Sequence, residues 1–299
     1  MTRVARVVEG AVGRAYRYAS WRLTGRGLTR MPPIRWMTDS LHRYFEARSG
    51  GRIYEVNGFR MVLPETDVGL GIRGFSERFV TDYVQRTVKP GMRLVDVGAH
   101  VGYYTLLSSR LVGDSGQVFA FEPEPVNAAM LKENLRLNAC SNVVIVPKAV
   151  TDRTGVVELG LASCNSGGHA VVRQTLGAQG TSQRIAVDAV SLDHYFELRG
   201  VGTVDVIKLD IEGNEYFALK GMIGLLRDNQ SLQVVMEYTP ELIMSAGASL
   251  DAPLRLMTGL GFEIREIGRS IERLSAEALL RKYPAASGRG TMLLFSRPM

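Results

Sequence analysis

A chain of 299 residues, 45% of them apolar and 22% charged, can bury one sizeable core and has neither a low-complexity nor a disordered composition. No apolar stretch approaches the ~18–20 residues of a membrane span, arginines interrupt the N-terminus where a secretory signal would read, and the two cysteines, Cys140 and Cys164, lack metal-ligand spacing, so a reducing cytoplasmic setting is expected. The net charge of +6 is uneven: nine arginines fall within residues 1–45 against only Glu9 and Asp39, which leaves the rest of the chain close to neutral.

Within that basic segment Val4, Val8, Ala11, Ala15 and Tyr18 recur at helical spacing. Residues 1–49 are therefore expected to be an arginine-rich helical extension of a single domain over 50–299. Packing on its own domain is the favoured reading. Peripheral contact with anionic lipid is the alternative. Nucleic-acid binding is not expected, because no recognition motif or aromatic stacking pattern reads. Two β-rich runs flank Asn57-Gly58 and predict a hairpin over 50–63. Residues 76–88 predict a helix with Ser76 as N-cap and Phe79, Val80, Tyr83 and Val84 on its buried side.

Strands and helices then alternate. Strands are expected at 93–97, 117–122, 142–147, 204–210, 231–238, 262–267 and 291–296, and helices near 103–111, 126–138, 215–226 and 250–259. Such alternation implies an α/β doubly wound sheet with parallel strands and helices on both faces. Residues 153–190 break the rhythm with three β-like runs, so a β insertion beside the ligand mouth is expected there.

Asp96-Val97-Gly98-Ala99-His100-Val101-Gly102 follows a short apolar run and precedes a helix-like one, which makes it a strand–turn–helix junction. Glycines at 98 and 102 allow a ligand to approach the backbone. Glu122 ends the next strand, where a ribose-binding carboxylate is expected. A dinucleotide fingerprint needs Gly-x-Gly-x-x-Gly, but His100 and Val101 break that spacing. The acid two residues before the first glycine suits S-adenosylmethionine (SAM), whose methionine end carries an ammonium group.

Ligands of open α/β sheets sit outside the carboxyl ends of the strands, which selects Asp96, Glu122, Asp210 and Glu237. Asp210-Ile211-Glu212-Gly213-Asn214-Glu215 places three carboxylates at one strand exit. A helix start explains Glu215 through the helix dipole, but it does not explain Asp210, which ends the apolar run Val204–Leu209.

With Phe121-Glu122-Pro123-Glu124-Pro125, Ile207-Lys208-Leu209-Asp210-Ile211-Glu212-Gly213 and Met236-Glu237, these words resemble the FkbM family of SAM-dependent methyltransferases over residues 76–240. The resemblance implies a seven-stranded class I methyltransferase (Rossmann-like) sheet whose last strand runs antiparallel. It also implies O-methylation of a hydroxyl on a sugar, polyketide or related metabolite. Asp96, Gly98 and Gly102 would line the methionine end, Glu122 would bind the ribose, and the Ala149-Val150 turn would border the adenine. Glu77 matches a family acid. His100 stands where family members often have Asn, a residue that like His tolerates left-handed backbone, and it receives no catalytic role.

Methylating an alcohol requires removal of its proton near the transition state. His169, Asp210, Glu212 and Glu237 are the candidates, and Asp210 is favoured over any histidine. Two acids on adjacent strands could instead hold a divalent cation, but no spacing establishes one, so no metal ligand is assigned. The rival readings are a nicotinamide-dependent oxidoreductase and a non-catalytic membrane-surface or scaffold protein using the basic segment. Acceptor specificity is expected from the 153–190 insertion and the N-terminal region.

Overall fold

The computed structural model describes residues 53–64, 77–162, 166–172, 181–285 and 287–298, so the 1–49 extension, Ser76 and Cys164 lie outside the described residues. Strands β1 (Ile53–Val56) and β2 (Phe59–Val62) form the expected hairpin. Asn57 (φ 53°) and Gly58 (φ 79°) both occupy the left-handed region that a two-residue turn of matching twist demands. The hairpin docks through amide side chains at the end of helix α3 (Pro125–Leu137). Asn134 bonds both the N–H and the C=O of Val62, and Asn138 does the same for Arg60, so two side chains act as a surrogate strand.

Helix α1 (Arg78–Thr87) buries Val80, Thr81, Tyr83 and Val84, but Phe79 stays 41% exposed, contrary to the sequence expectation. Residues 80, 81, 83 and 84 already fill the inward arc, and Phe79 lies outside its edge, ~40° beyond Tyr83.

The main sheet contains β3 (Arg93–Val97), β4 (Gln117–Phe121), β5 (Val143–Val146), β10 (Val206–Leu209), β11 (Gln233–Tyr238), β12 (Glu263–Ile267), β13 (Ile271–Leu274) and β14 (Thr291–Ser296). Their order is β13-β12-β14-β11-β10-β3-β4-β5. Strand β14 inserts antiparallel between β11 and β12, as implied for the last strand of this Rossmann-like class I fold. The sheet has eight strands instead of seven, because β13 folds back antiparallel along the edge of β12. Adjacent residues alternate between two cores: Val95, Val97, Ile207, Leu209, Val234 and Met236 face one side, and Leu94, Val206 and Val235 the other.

Helices α2 (Tyr103–Val112), α3 and α7 (Ala252–Gly259) fall near the expected positions. The single helix expected over 215–226 is instead two, α5 (Glu215–Lys220) and α6 (Ile223–Asp228). Gly221 turns its carbonyl to the backbone N–H of Asp193, in helix α4 (Leu192–Arg199), and a Cβ there would stand 2.1 Å from the Thr151 carbonyl oxygen. The Asp193 carboxylate then caps α6 by accepting from the N–H groups of Gly224 and Leu225. Ala149-Val150 is not a turn but strand β6, which pairs with β9 (Thr181–Val190) in a second sheet. Strands β7 (Gly155–Ala162) and β8 (Ala170–Val171) complete that four-stranded insertion, in the order β6-β9-β7-β8.

Candidate active site

At the carboxyl ends of β3, β4 and β10 a cavity opens beneath the insertion sheet, with about 520 Å³ of space including its mouth. That is within the usual range for small-molecule sites. Val97, Phe121, Val150 and Leu159 supply apolar wall, while Glu122, Asn127 and Asp210 supply polar groups. The cavity brings together six sequence-selected residues: Gly98, Glu122, Ala149, Val150, His169 and Asp210. Asp96, Gly102, Glu77, Glu212 and Glu237 are not among its lining.

Gly98 has φ 82°, and a Cβ there would stand 1.9 Å from the Asp210 carbonyl oxygen. The glycine turn therefore packs directly against the exit of β10, and only a residue without a side chain fits. Gly102 (φ 94°) starts α2 and would drive a Cβ into Leu131, so its constraint is helix packing.

Glu122 is 5% exposed, and both of its oxygens accept backbone N–H groups: Oε2 from His100 at 2.8 Å and Oε1 from Glu124 at 2.9 Å. Burial pushes its carboxyl up to about 7, although those two hydrogen bonds pull the other way. His100 has φ 51°, the left-handed geometry expected of this position. The His169 ring accepts the Ala162 N–H at Nδ1 (3.0 Å). A neutral ring in that arrangement carries its proton on Nε2 and offers no lone pair for use as a base.

Asp96 turns away from the cavity. It is 1% exposed, accepts the Thr105 hydroxyl at Oδ2 (2.6 Å) and leaves Oδ1 buried without a hydrogen-bond partner. Burial raises its carboxyl pKa, against the pull of Lys208. Lys208 pairs in register with Asp96 across β10 and β3, and its Nζ bonds Asp210 Oδ2 at 2.7 Å and lies 4.6 Å from the centre of the Tyr104 ring. Tyr104 in turn donates to Glu77 at 3.0 Å. Burial disfavours the Lys208 charge, but Asp210, Asp96 and Glu77 outweigh that and raise its pKa.

Lys208 escaped the sequence reading. The signal was present: a lysine within a strand buried at every position must have carboxylate partners. Glu212 (φ 55°) and Glu237 stand behind Asp210. Burial and then the Asp210 charge lift Glu212 to about 7. Glu237 Oε1 accepts from Thr239, and its Oε2 is buried without a partner. Among the described residues no group of three or more His, Cys, Asp and Glu side chains is arranged to hold a metal ion.

A profile of the methyltransferase FkbM domain matches residues 96–264, more than half of the chain. The chain belongs to this family. The matched domain is that of SAM-dependent methyltransferases, and the nicotinamide reading is set aside. The 31-O-demethyl-FK506 methyltransferase FkbM of Streptomyces tacrolimicus is 29% identical over 167 residues, which cover 45% of this chain and 61% of the relative. The chain thus matches about three fifths of that relative's length. Two solved structures also align. A SAM-dependent O-methyltransferase from Thermotoga maritima is 13% identical, with 83% of this chain and 78% of that one covered and a TM-score of 0.42. Aeropyrum pernix fibrillarin with bound SAM is 14% identical, with 82% of each chain covered and a TM-score of 0.43.

The cavity suits the cofactor of this FkbM-family methyltransferase. A buried carboxylate acceptor beside apolar wall suits ribose hydroxyls and an adenine ring, and each Glu122 oxygen keeps a lone pair beyond its backbone bond. A pH dependence follows. On the expectation that Glu122 receives a ribose hydroxyl, binding requires the ionised acid, and burial pushes that carboxyl up to about 7. S-adenosylhomocysteine (SAH) affinity should therefore rise with pH, by at most about tenfold per unit below 7, and level off above it. Calorimetry from acid to mildly alkaline pH checks this. A flat profile, or the same slope in Glu122→Gln, would remove Glu122 from the ribose.

Proposed function

We infer that this methyltransferase acts on an uncharged hydroxyl of a small polyhydroxylated metabolite, a sugar, a polyketide or a close relative, and that Asp210 takes the hydroxyl proton. The observation that carries this is the placement of Asp210. It ends a buried strand, lines the cavity beside the glycine turn and has one oxygen held by Lys208, so its second oxygen can serve an acceptor hydroxyl. The curated relative's name places its own reaction at an oxygen of 31-O-demethyl-FK506, which supports an alcohol acceptor.

SAM when bound supplies a methyl group on a sulfonium centre, so the C–S bond breaks as the C–O bond forms. Asp210 orients the acceptor oxygen and receives its proton as that bond forms. Asp210 shares the strand exits with Glu212, Glu215 and Glu237, whose carboxyl pKa values burial and the Asp210 charge raise, with Lys208 as a buried cation beside Asp210. Further negative charge from a phosphorylated or carboxylated acceptor would add to a site already crowded with acids, which favours a neutral acceptor.

The test supplies the full chain with methyl-labelled SAM and separate panels of neutral sugars, polyketide alcohols, carboxylic acids and sugar phosphates. Label is expected in a base-stable methyl ether from one of the neutral panels. Label released by mild base would identify a methyl ester, and with it a carboxylate acceptor, against this reading.

A further inference from the structure

Five residues close a ring of hydrogen bonds around Glu122. The His100 N–H donates to Glu122 Oε2 (2.8 Å), and the Glu124 N–H donates to Glu122 Oε1 (2.9 Å). Glu124 Oε2 accepts the Asn127 N–H (2.6 Å), and Asn127 Nδ2 donates to the Ser166 carbonyl (3.0 Å). Ser166 Oγ and His100 Nε2, 2.8 Å apart, complete the circuit. The ring draws on three separate parts of the chain: the glycine turn after β3, the β4–α3 connection and the insertion. His100, Glu122, Asn127 and Ser166 all line the cavity.

The choice of residue at position 100 is informative. Its left-handed backbone favours glycine, and a glycine would supply the same N–H to Glu122. The imidazole spans from that backbone to Ser166, which a glycine could not do. Asn127 is 3% exposed and holds Ser166 from the opposite side.

We propose that this closed ring presents Glu122 to the cofactor ribose and seats the insertion over that end of the cavity, with His100 and Asn127 as positioning residues. The proposal rests on the reading of Glu122 as the ribose acid. A carboxylate held by two backbone N–H groups has one orientation, so its remaining lone pairs meet a ribose diol at a fixed angle. Cutting the ring at either side chain removes one of the bonds to Ser166 and loosens the wall against which that geometry is held. Because both cuts open the same ring, their effects should not add.

Calorimetry with adenosine, 2′-deoxyadenosine and SAH on the full chain tests this without an acceptor. The wild-type protein should prefer adenosine to its 2′-deoxy analogue. In His100→Gly, which keeps the backbone donor, and in Asn127→Ala, adenosine and SAH should each bind about tenfold more weakly. The deoxynucleoside should change little, and the double variant should be no worse than either single one. Should His100→Gly fail to fold, His100→Asn takes its place, since asparagine also accepts this backbone. Equal weakening of both nucleosides would mark simple loosening and overturn the ring. An adenosine preference that survives both variants but is lost in Glu122→Gln overturns the ring alone. One that survives all three overturns the Glu122 assignment beneath it.

Discussion

Asp210→Asn is expected to lower turnover by about 10²–10⁴-fold, the scale of a lost general base, while SAH affinity stays largely unchanged. The substitution nearly keeps the shape of the side chain and removes its charge. It leaves the Asp210 carbonyl that packs on Gly98, so the glycine turn should hold its form. It also leaves Lys208 with Asp96 and Glu77 as its remaining carboxylates, so the fold should survive. His169→Ala should cost far less, because the ring already spends Nδ1 on the Ala162 N–H. Methyl transfer at saturating SAM, measured beside SAH calorimetry, checks both variants. Normal turnover in Asp210→Asn with a dead His169→Ala would reverse the assignment. A parallel assay after exhaustive chelation separates a proton-accepting Asp210 from a metal-holding one.

Glu237→Gln is expected to stabilise the protein at alkaline pH while impairing methyl transfer. Burial, and then the charges of Asp210, Glu215 and Glu212, push the Glu237 carboxyl up to about 9, far above its ordinary 4.5. A group raised in the folded state contributes its full stability below the unfolded value of 4.5. That contribution is lost as pH climbs from there through 9. The wild-type protein therefore carries at pH 8 a penalty of roughly 2–4 kcal/mol that glutamine lacks. Melting temperatures should differ little at pH 4.5 and by about 5–10 °C at pH 8, with the variant higher. A variant that melts below wild type at pH 8 would show that Glu237 is stabilised by its charge. Held protonated beside Asp210, Glu237 is a hydrogen-bond donor whose geometry the glutamine amide changes, which explains the expected loss of methyl transfer and why a destabilising acid persists there.

Local chemistry alone determined much of this molecule. Asn57-Gly58 dictates its hairpin because both residues accept left-handed backbone, and the apolar runs that end in Asp96, Glu122 and Asp210 read as strands. Their carboxyl ends then locate the site by a rule that needs no coordinates. The ordered motif words carried the family, and with it the cofactor. Tertiary structure decided what depends on neighbours distant in sequence. The break at Gly221 arises because Thr151 and Asp193 press on it from elsewhere in the chain. Strand β13 exists because the edge of β12 was open to pair with it. Asp96 and Asp210 read alike as acids at strand ends, yet only Asp210 lines the cavity, while Asp96 turns to Thr105 and Lys208. The ring through His100, Asn127 and Ser166 was invisible for the same reason. A hydrogen bond joins residues by position in space, and sequence spacing encodes that only within one helix, strand or turn.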